Sequence, residues 1–137
     1  MVVNTQAANL GDATMLMQDF AVDLTFDALP ADVLRVLRRS LLDTLGVAAI
    51  GSQSEMAQIG TKTAQALFGA TGTSSARCLF DGKLVSEAGA AMSGAMTIDS
   101  VDAHDGTSPC KGHAGSAIFP SIFSLADGRG LTGQDLA

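Results

Sequence analysis

Between Glu87 and Ile98 the chain reads Glu-Ala-Gly-Ala-Ala-Met-Ser-Gly-Ala-Met-Thr-Ile, a segment almost free of bulky side chains. Glycine inside an exposed helix costs about 1 kcal/mol against alanine. Gly89 and Gly94 therefore make sense where neighbouring helices must come close, which predicts a buried central helix that delivers the chain to Asp99. A helix with no bulk of its own needs other helices to cover it. The flanking segments supply them.

Met15, Leu16, Phe20 and Leu24 recur at helical spacing over 13–24. Leu29-Pro-Ala-Asp32 is a helix start, with proline near the first position and an acid in the first turn. From there Leu34, Leu37, Leu41, Leu45 and Ala48 form one apolar stripe, with Arg35, Arg38, Arg39 and Asp43 on the other side. Arg39 and Asp43 stand four apart and can pair, and Gly51 closes the helix. A third helix is predicted over 54–68, stopped by Gly69, then a loop over 72–75. Residues 76–80 with Asp81-Gly82 read as a short extended piece and turn. After the central helix, 114–127 is apolar again, and Pro120 must kink a helix there or start one. The expected fold is all-α, a helical bundle with at most a short extended piece near 76–80.

The chain has 137 residues, one domain's worth, with 47% hydrophobic and only 16% charged residues. Trp and Tyr are absent, so the core is expected to rest on Leu, Ile, Val, Met, Ala and six Phe. A net charge of −6 argues against nucleic acid, which requires clustered Lys and Arg. No run approaches the roughly 18 apolar residues of a membrane span. Without Lys or Arg before Arg35 and without an apolar leader core, a secretory signal is not expected, and a cytoplasmic location is. Cys78 and Cys110 form no CxxC pair. Residues 1–11 are small and polar and expected to fray, leaving 12–137 as the folded part. Thr132-Gly-Gln-Asp135 reads as a capping box with barely a turn of helix after it, so the chain is expected to be truncated.

Chemistry concentrates in Asp99-Ser-Val-Asp102-Ala-His104-Asp105-Gly-Thr107-Ser-Pro-Cys-Lys111-Gly-His113-Ala-Gly115. Both histidines of the protein lie here. Asp99, Asp102 and Asp105 fall three apart where the central helix ends, and negative charge there opposes the helix dipole by about 0.3–1 kcal/mol per exposed group. Ordinary loop aspartates explain part of this, least well at Asp102 and Asp105, which bracket His104. Metal binding competes for such residues, but no calcium loop, HExxH or Cys–His zinc spacing is present. GxSxG and phosphate-binding glycine loops are missing too. Lys111 with Gly112 and Gly115 around His113 forms the positive element, able to receive a carboxylate if a helix begins just beyond. A histidine beside an aspartate serves as general acid or base near neutral pH.

Leu42-Asp-Thr-Leu-Gly46, the small-residue helix running into Asp99–Asp105, and Gly112-His-Ala-Gly115 followed by Pro120 resemble the N-terminal part of the MmgE/PrpD family. That family includes 2-methylcitrate dehydratase, cis-aconitate decarboxylase and iminodisuccinate epimerase. The resemblance runs from about Asp19 to the last residue. It implies the first portion of a helical domain whose members are several times longer and carry an inserted α+β lid. Their site lies between the two domains and works without metal or organic cofactor. It abstracts a proton beside a carboxylate of a di- or tricarboxylate, then loses water or CO2 or is reprotonated. By motif, Asp102 matches the family's site aspartate and His113 its site histidine, the catalytic pair. Asp105, Thr107, Lys111 and His104 are the implied substrate contacts. Ala114 stands where many members have Pro. The loop is one residue longer than in some, and His104 and Lys111 are closer to the epimerase-like branch.

The family's later lysine, tyrosine and histidine have no counterpart in this sequence. The isolated chain is therefore expected to be nearly inactive, and to form a homodimer or pair with a missing C-terminal part. The other reading is a non-catalytic helical interaction protein, or a decayed remnant, that docks on a partner chain.

Overall fold

A computed structural model describes residues 10–70, 74–109 and 111–136 of the chain. It is a mostly helical domain. α1 spans Leu10–Asp23, α2 Ala31–Gly51, α3 Glu55–Leu67, α4 Glu87–Asp99 and α5 Ala114–Arg129, with a single 3-10 turn at Phe26–Ala28. Two short antiparallel ladders join them. β1 (Ser75–Arg77) pairs with β2 (Leu84–Ser86), and β3 (Gly106–Thr107) with β4 (Gly112–His113). Most of the stretch expected to fray, 1–9, lies outside the described residues, as does half of the loop expected over 72–75, while Leu10 and Gly11 belong to α1.

The helix ends follow local chemistry. Ser54 and Ser86 each turn a hydroxyl oxygen to the first turn of the next helix, accepting from Ala57 N at 3.0 Å and Gly89 N at 3.2 Å. Each satisfies an N–H with no partner inside its helix. Pro30 stands just before α2, where its fixed φ suits the start and its missing donor costs nothing. Gly130 takes the left-handed conformation (φ 64°) that ends α5. The Thr132–Asp135 box forms in half. Asp135 accepts from Thr132 N at 2.7 Å and from its hydroxyl at 2.6 Å, which holds its carboxyl below the usual range.

α4 is the centre, with α3, α2 and α5 laid on its small residues. A Cβ on Gly94 would meet Pro120 Cβ of α5 at 2.9 Å, and one on Gly89 would meet Phe68 Cβ at 2.6 Å. Against α2, Gly51 lies directly on the Thr97 carbonyl, and on α3 Gly60 faces Met96. These are the close approaches that the glycines of the central helix imply. α5 continues past its proline, which is buried against Gly94.

The core departs from expectation. The buried apolar residues are Ala48, Ala57, Ala64, Ala76, Ala90 and Ala126 with Cys78, Val85 and Ile98, and no described Leu or Phe is fully buried. Helices this close leave room mainly for small side chains, so the Leu and Phe side chains stand outside the contact. Leu34, Leu37 and Leu41 of the α2 stripe line an open hollow of about 530 Å3 with Phe26, Phe119 and Phe123. Exposed apolar side chains also run along α1, Phe20 at 65% and Val22 at 83%. The extended piece expected at 76–80 is a hairpin, whose second strand follows the turn at Phe80–Gly82. Arg77 of β1 is tied to Asp127 of α5 by a forked ion pair. Among the described residues no ion pair joins Arg39 to Asp43, and both side chains line a separate hollow. No described helix is long and apolar enough to cross a membrane.

Candidate functional site

The site begins where α4 stops. Ser100 follows the last residue, Asp99, and its hydroxyl donates to Thr97 O at 2.8 Å and to Gly51 O at 3.4 Å. That fastens the exit of α4 to the end of α2. Asp102 N donates back to Asp99 O at 3.1 Å, and Asp102 takes a left-handed conformation (φ 51°). This turn reverses the chain and drives His104 inward, its side chain only 3% exposed. Asp105 (φ 55°) and Lys111 (φ 47°) are left-handed as well. Three such residues that are not glycine, in one ten-residue loop, mark a backbone held in sparsely populated conformations by its surroundings.

His104 Nε2 stands 2.9 Å from Asp99 Oδ1 and 3.5 Å from Asp102 Oδ1, while its Nδ1 is buried without a partner. The acceptors on the Nε2 side place the proton there. The His104 ring also meets the His113 ring edge-to-face, with centroids 4.2 Å apart and planes at 89°. Asp102 and His113, the expected catalytic pair, are thus joined through His104. Asp102 is almost fully exposed, its side chain at 94%, and His113 is open to solvent.

The β3–β4 ladder presents His113. Gly106 pairs with His113 and Thr107 with Gly112. A Cβ on Gly106 would lie 3.3 Å from His113 Nδ1, so the imidazole occupies the space that this glycine leaves. His113 is also the residue before the first turn of α5, whose leading N–H groups form a positive helix end. The helix start expected beyond Lys111 is there. Gly115, one of the two glycines around His113, touches protein: a Cβ would lie 3.3 Å from the His104 carbonyl and from Thr44 Oγ1. Thr44 belongs to the Leu42–Gly46 motif and is buried beneath this contact.

The remaining expected contacts spread around this centre. Lys111 is exposed at the tip of the ladder, its N–H donating to Ser108 O at 3.3 Å. Thr107 has its backbone in β3, and its side chain lies outside the described set. Asp105 turns toward α2, where it shares an open hollow of about 570 Å3 with Arg39, Ser40 and Asp43. His104 is too buried to meet a ligand head-on. Among the described residues no group of three or more His, Cys, Asp or Glu side chains is placed to hold a metal.

Two features escaped sequence reasoning. Asp99 as partner of His104 is signalled only by a separation of five residues across a helix end, which no periodicity reports. The β3–β4 ladder is signalled by Gly106 and Gly112 flanking Ser-Pro, a weak mark for strands two residues long.

The model of the MmgE/PrpD N-terminal domain matches residues 16–137. The chain belongs to the MmgE/PrpD family. No curated protein and no solved structure matches it. The match takes in α2–α5 and both ladders, so the MmgE/PrpD N-terminal domain includes the whole loop from Asp99 to His113.

Proposed function

We propose that this chain forms one wall of a lyase or isomerase site that removes a proton beside a carboxylate of a di- or tricarboxylate, without metal or organic cofactor. His113 accepts the proton from the carbon acid and becomes imidazolium, and Asp102 serves in the accompanying proton transfer. Loss of hydroxide as water, loss of CO2, or return of the proton to the other face completes dehydration, decarboxylation or epimerisation. Lys111, Thr107, Asp105 and the leading N–H groups of α5 receive and orient the carboxylates, and His104 acts from behind His113. The reading implies a cytoplasmic setting and a homodimer or a further segment to close the site.

The observation that carries this is an open imidazole at a helix start, backed by a buried imidazole and two carboxylates, inside an MmgE/PrpD match. General acid–base groups contribute about 10²–10⁴-fold. In protein completed by the family's remaining helical and lid segments, His113→Gln should lower turnover of cis-aconitate-like tricarboxylates by about 10²-fold or more. Unchanged turnover removes His113 from the chemistry. The chain alone should be nearly inactive, because one wall excludes no water.

A second reading, a helical interaction protein, draws on the uncovered apolar side chains of α1 and the hollow between α2 and α5. Turnover in the completed protein would count against it. A stable complex with a partner chain and no turnover would favour it.

A further inference from the structure

We infer that Asp99 and His104 are a positioning pair for His113: Asp99 holds the buried His104 ring through one hydrogen bond, and that ring fixes where the His113 imidazole stands. The functional meaning rests on the role proposed above for His113. The geometry does not.

Three observations lead here. His104 is buried with Nδ1 unpartnered, an arrangement that packing alone does not favour, because an apolar side chain would fill the space with no orphaned nitrogen. Its one short polar contact is Asp99 Oδ1 at 2.9 Å, from the last residue of the most deeply packed helix. The pair is therefore anchored to the rigid part of the fold rather than to the loop. Finally, His113 is bracketed. The His104 ring meets it edge-to-face, and the Gly106 backbone, its ladder partner, comes so near that a Cβ there would lie 3.3 Å from Nδ1. An exposed histidine at the start of a helix otherwise samples several rotamers. Here two close neighbours restrict it, and one of them is steered by a carboxylate. Asp102, nearly fully exposed and 3.5 Å from the same nitrogen, is the weaker partner.

Since the chain has only two histidines, histidine-labelled protein gives two imidazole spin systems, readable without substrate. In the unaltered chain, nitrogen shifts should show His104 protonated on Nε2, with cross-relaxation between the two rings. A missing ring-to-ring contact, or a His104 averaging between tautomers, overturns the proposal with no variant made. Asp99→Ala should release the tautomer and move the ring resonances of His113, while Asp99→Asn, whose amide oxygen still accepts, should restore both. His113 resonances identical in wild type and Asp99→Ala also overturn it. In the completed enzyme Asp99→Ala should lower kcat about tenfold, since small misplacements of a reacting group are costly, with KM nearly unchanged and most activity regained in Asp99→Asn. A His113→Gln enzyme with full turnover would sink the proposed function and leave the spectra, and this pair, standing.

Discussion

His104 Nε2 and Asp99 Oδ1 stand 2.9 Å apart across the end of α4, so the last residue of the central helix and a buried ring of the following loop hold each other. Neither residue is where stability alone would put it. An acid at a helix C-terminus opposes the dipole by about 0.3–1 kcal/mol. A buried nitrogen without a partner costs about 1–3 kcal/mol, against about 1.5–3 kcal/mol for a hydrogen bond to a charged group. The terms nearly cancel. His104→Leu, which fills the same space without the orphaned nitrogen, should change unfolding free energy by less than about 1 kcal/mol. His104→Ala, which leaves a cavity, should cost about 2–3 kcal/mol. Urea denaturation of both variants checks this. A leucine variant as unstable as the alanine one would show that the imidazole is kept for stability rather than for the site.

Two glycines in helices should respond in opposite ways to the same change. Gly94 has Pro120 Cβ at 2.9 Å from the place where a methyl would go, whereas Gly46 has nothing within 4 Å. Gly46→Ala should stabilise by up to about 1 kcal/mol through helix propensity. Gly94→Ala gains the same propensity but forces α4 and α5 apart, and overpacking of about 1–3 kcal/mol outweighs it. Thermal unfolding should therefore move the two midpoints in opposite directions. If both rise, α4 and α5 are not in the contact described.

The contrast between these glycines shows what the sequence could and could not reveal. Gly94 was legible, because a helix of alanines and glycines has no other reason to exist than close neighbours. The apolar stripe of α2 was legible through its 3.6-residue period, and the start of α3 follows from the capping chemistry of Ser54. The core was misread, because composition says how many Leu and Phe exist and not that tightly approaching helices leave them outside. Arg39 and Asp43 were at pairing distance by spacing, yet exposed charges at that spacing gain only a few tenths of a kcal/mol and need not meet. In the site, the clustering of Asp102, His104, Lys111 and His113 was visible as a run of acids and bases. That His104 faces inward, tied to Asp99, depends on a left-handed turn at Asp102 that residue type alone does not dictate.

Acid should loosen the junction of β1 and α5. Asp127 accepts from the Arg77 guanidinium and, at 2.7 Å, from Arg77 N, and these bonds hold its carboxyl below the ordinary carboxylate range against a smaller opposing effect of burial. A depressed folded pKa adds stability that is complete above the unfolded value of 3.8 and disappears as pH falls through the folded one. Arg77 is raised by the same partner, so its share is lost only in strong alkali. Because Arg77 is largely exposed and solvent screens the pair, Asp127→Asn should cost only about 1 kcal/mol near neutrality. The variant should also lose less stability than wild type as pH drops below about 4. Parallel acid slopes for the two proteins would place the acid sensitivity elsewhere.

Lys111 offers the sharpest separation of stability from function. It takes φ 47° at the tip of the β3–β4 ladder, where a side chain strains the backbone and glycine does not. Left-handed conformation costs an ordinary residue about 1–2 kcal/mol, partly offset by the greater freedom of glycine when unfolded. Lys111→Gly should therefore raise unfolding free energy by up to about 1 kcal/mol. Under the function proposed for His113, and in protein carrying the family's remaining segments, the same change removes a positive charge from the β3–β4 tip, so KM for a tricarboxylate should rise about tenfold, roughly the 1.4 kcal/mol of one weak ionic contact, with kcat little altered. Lys111→Met, which keeps the strain and loses the charge, should show the kinetic effect without the stabilisation. A Lys111→Gly enzyme with unchanged KM would mean that the ammonium does not meet the substrate, whatever happens to its stability.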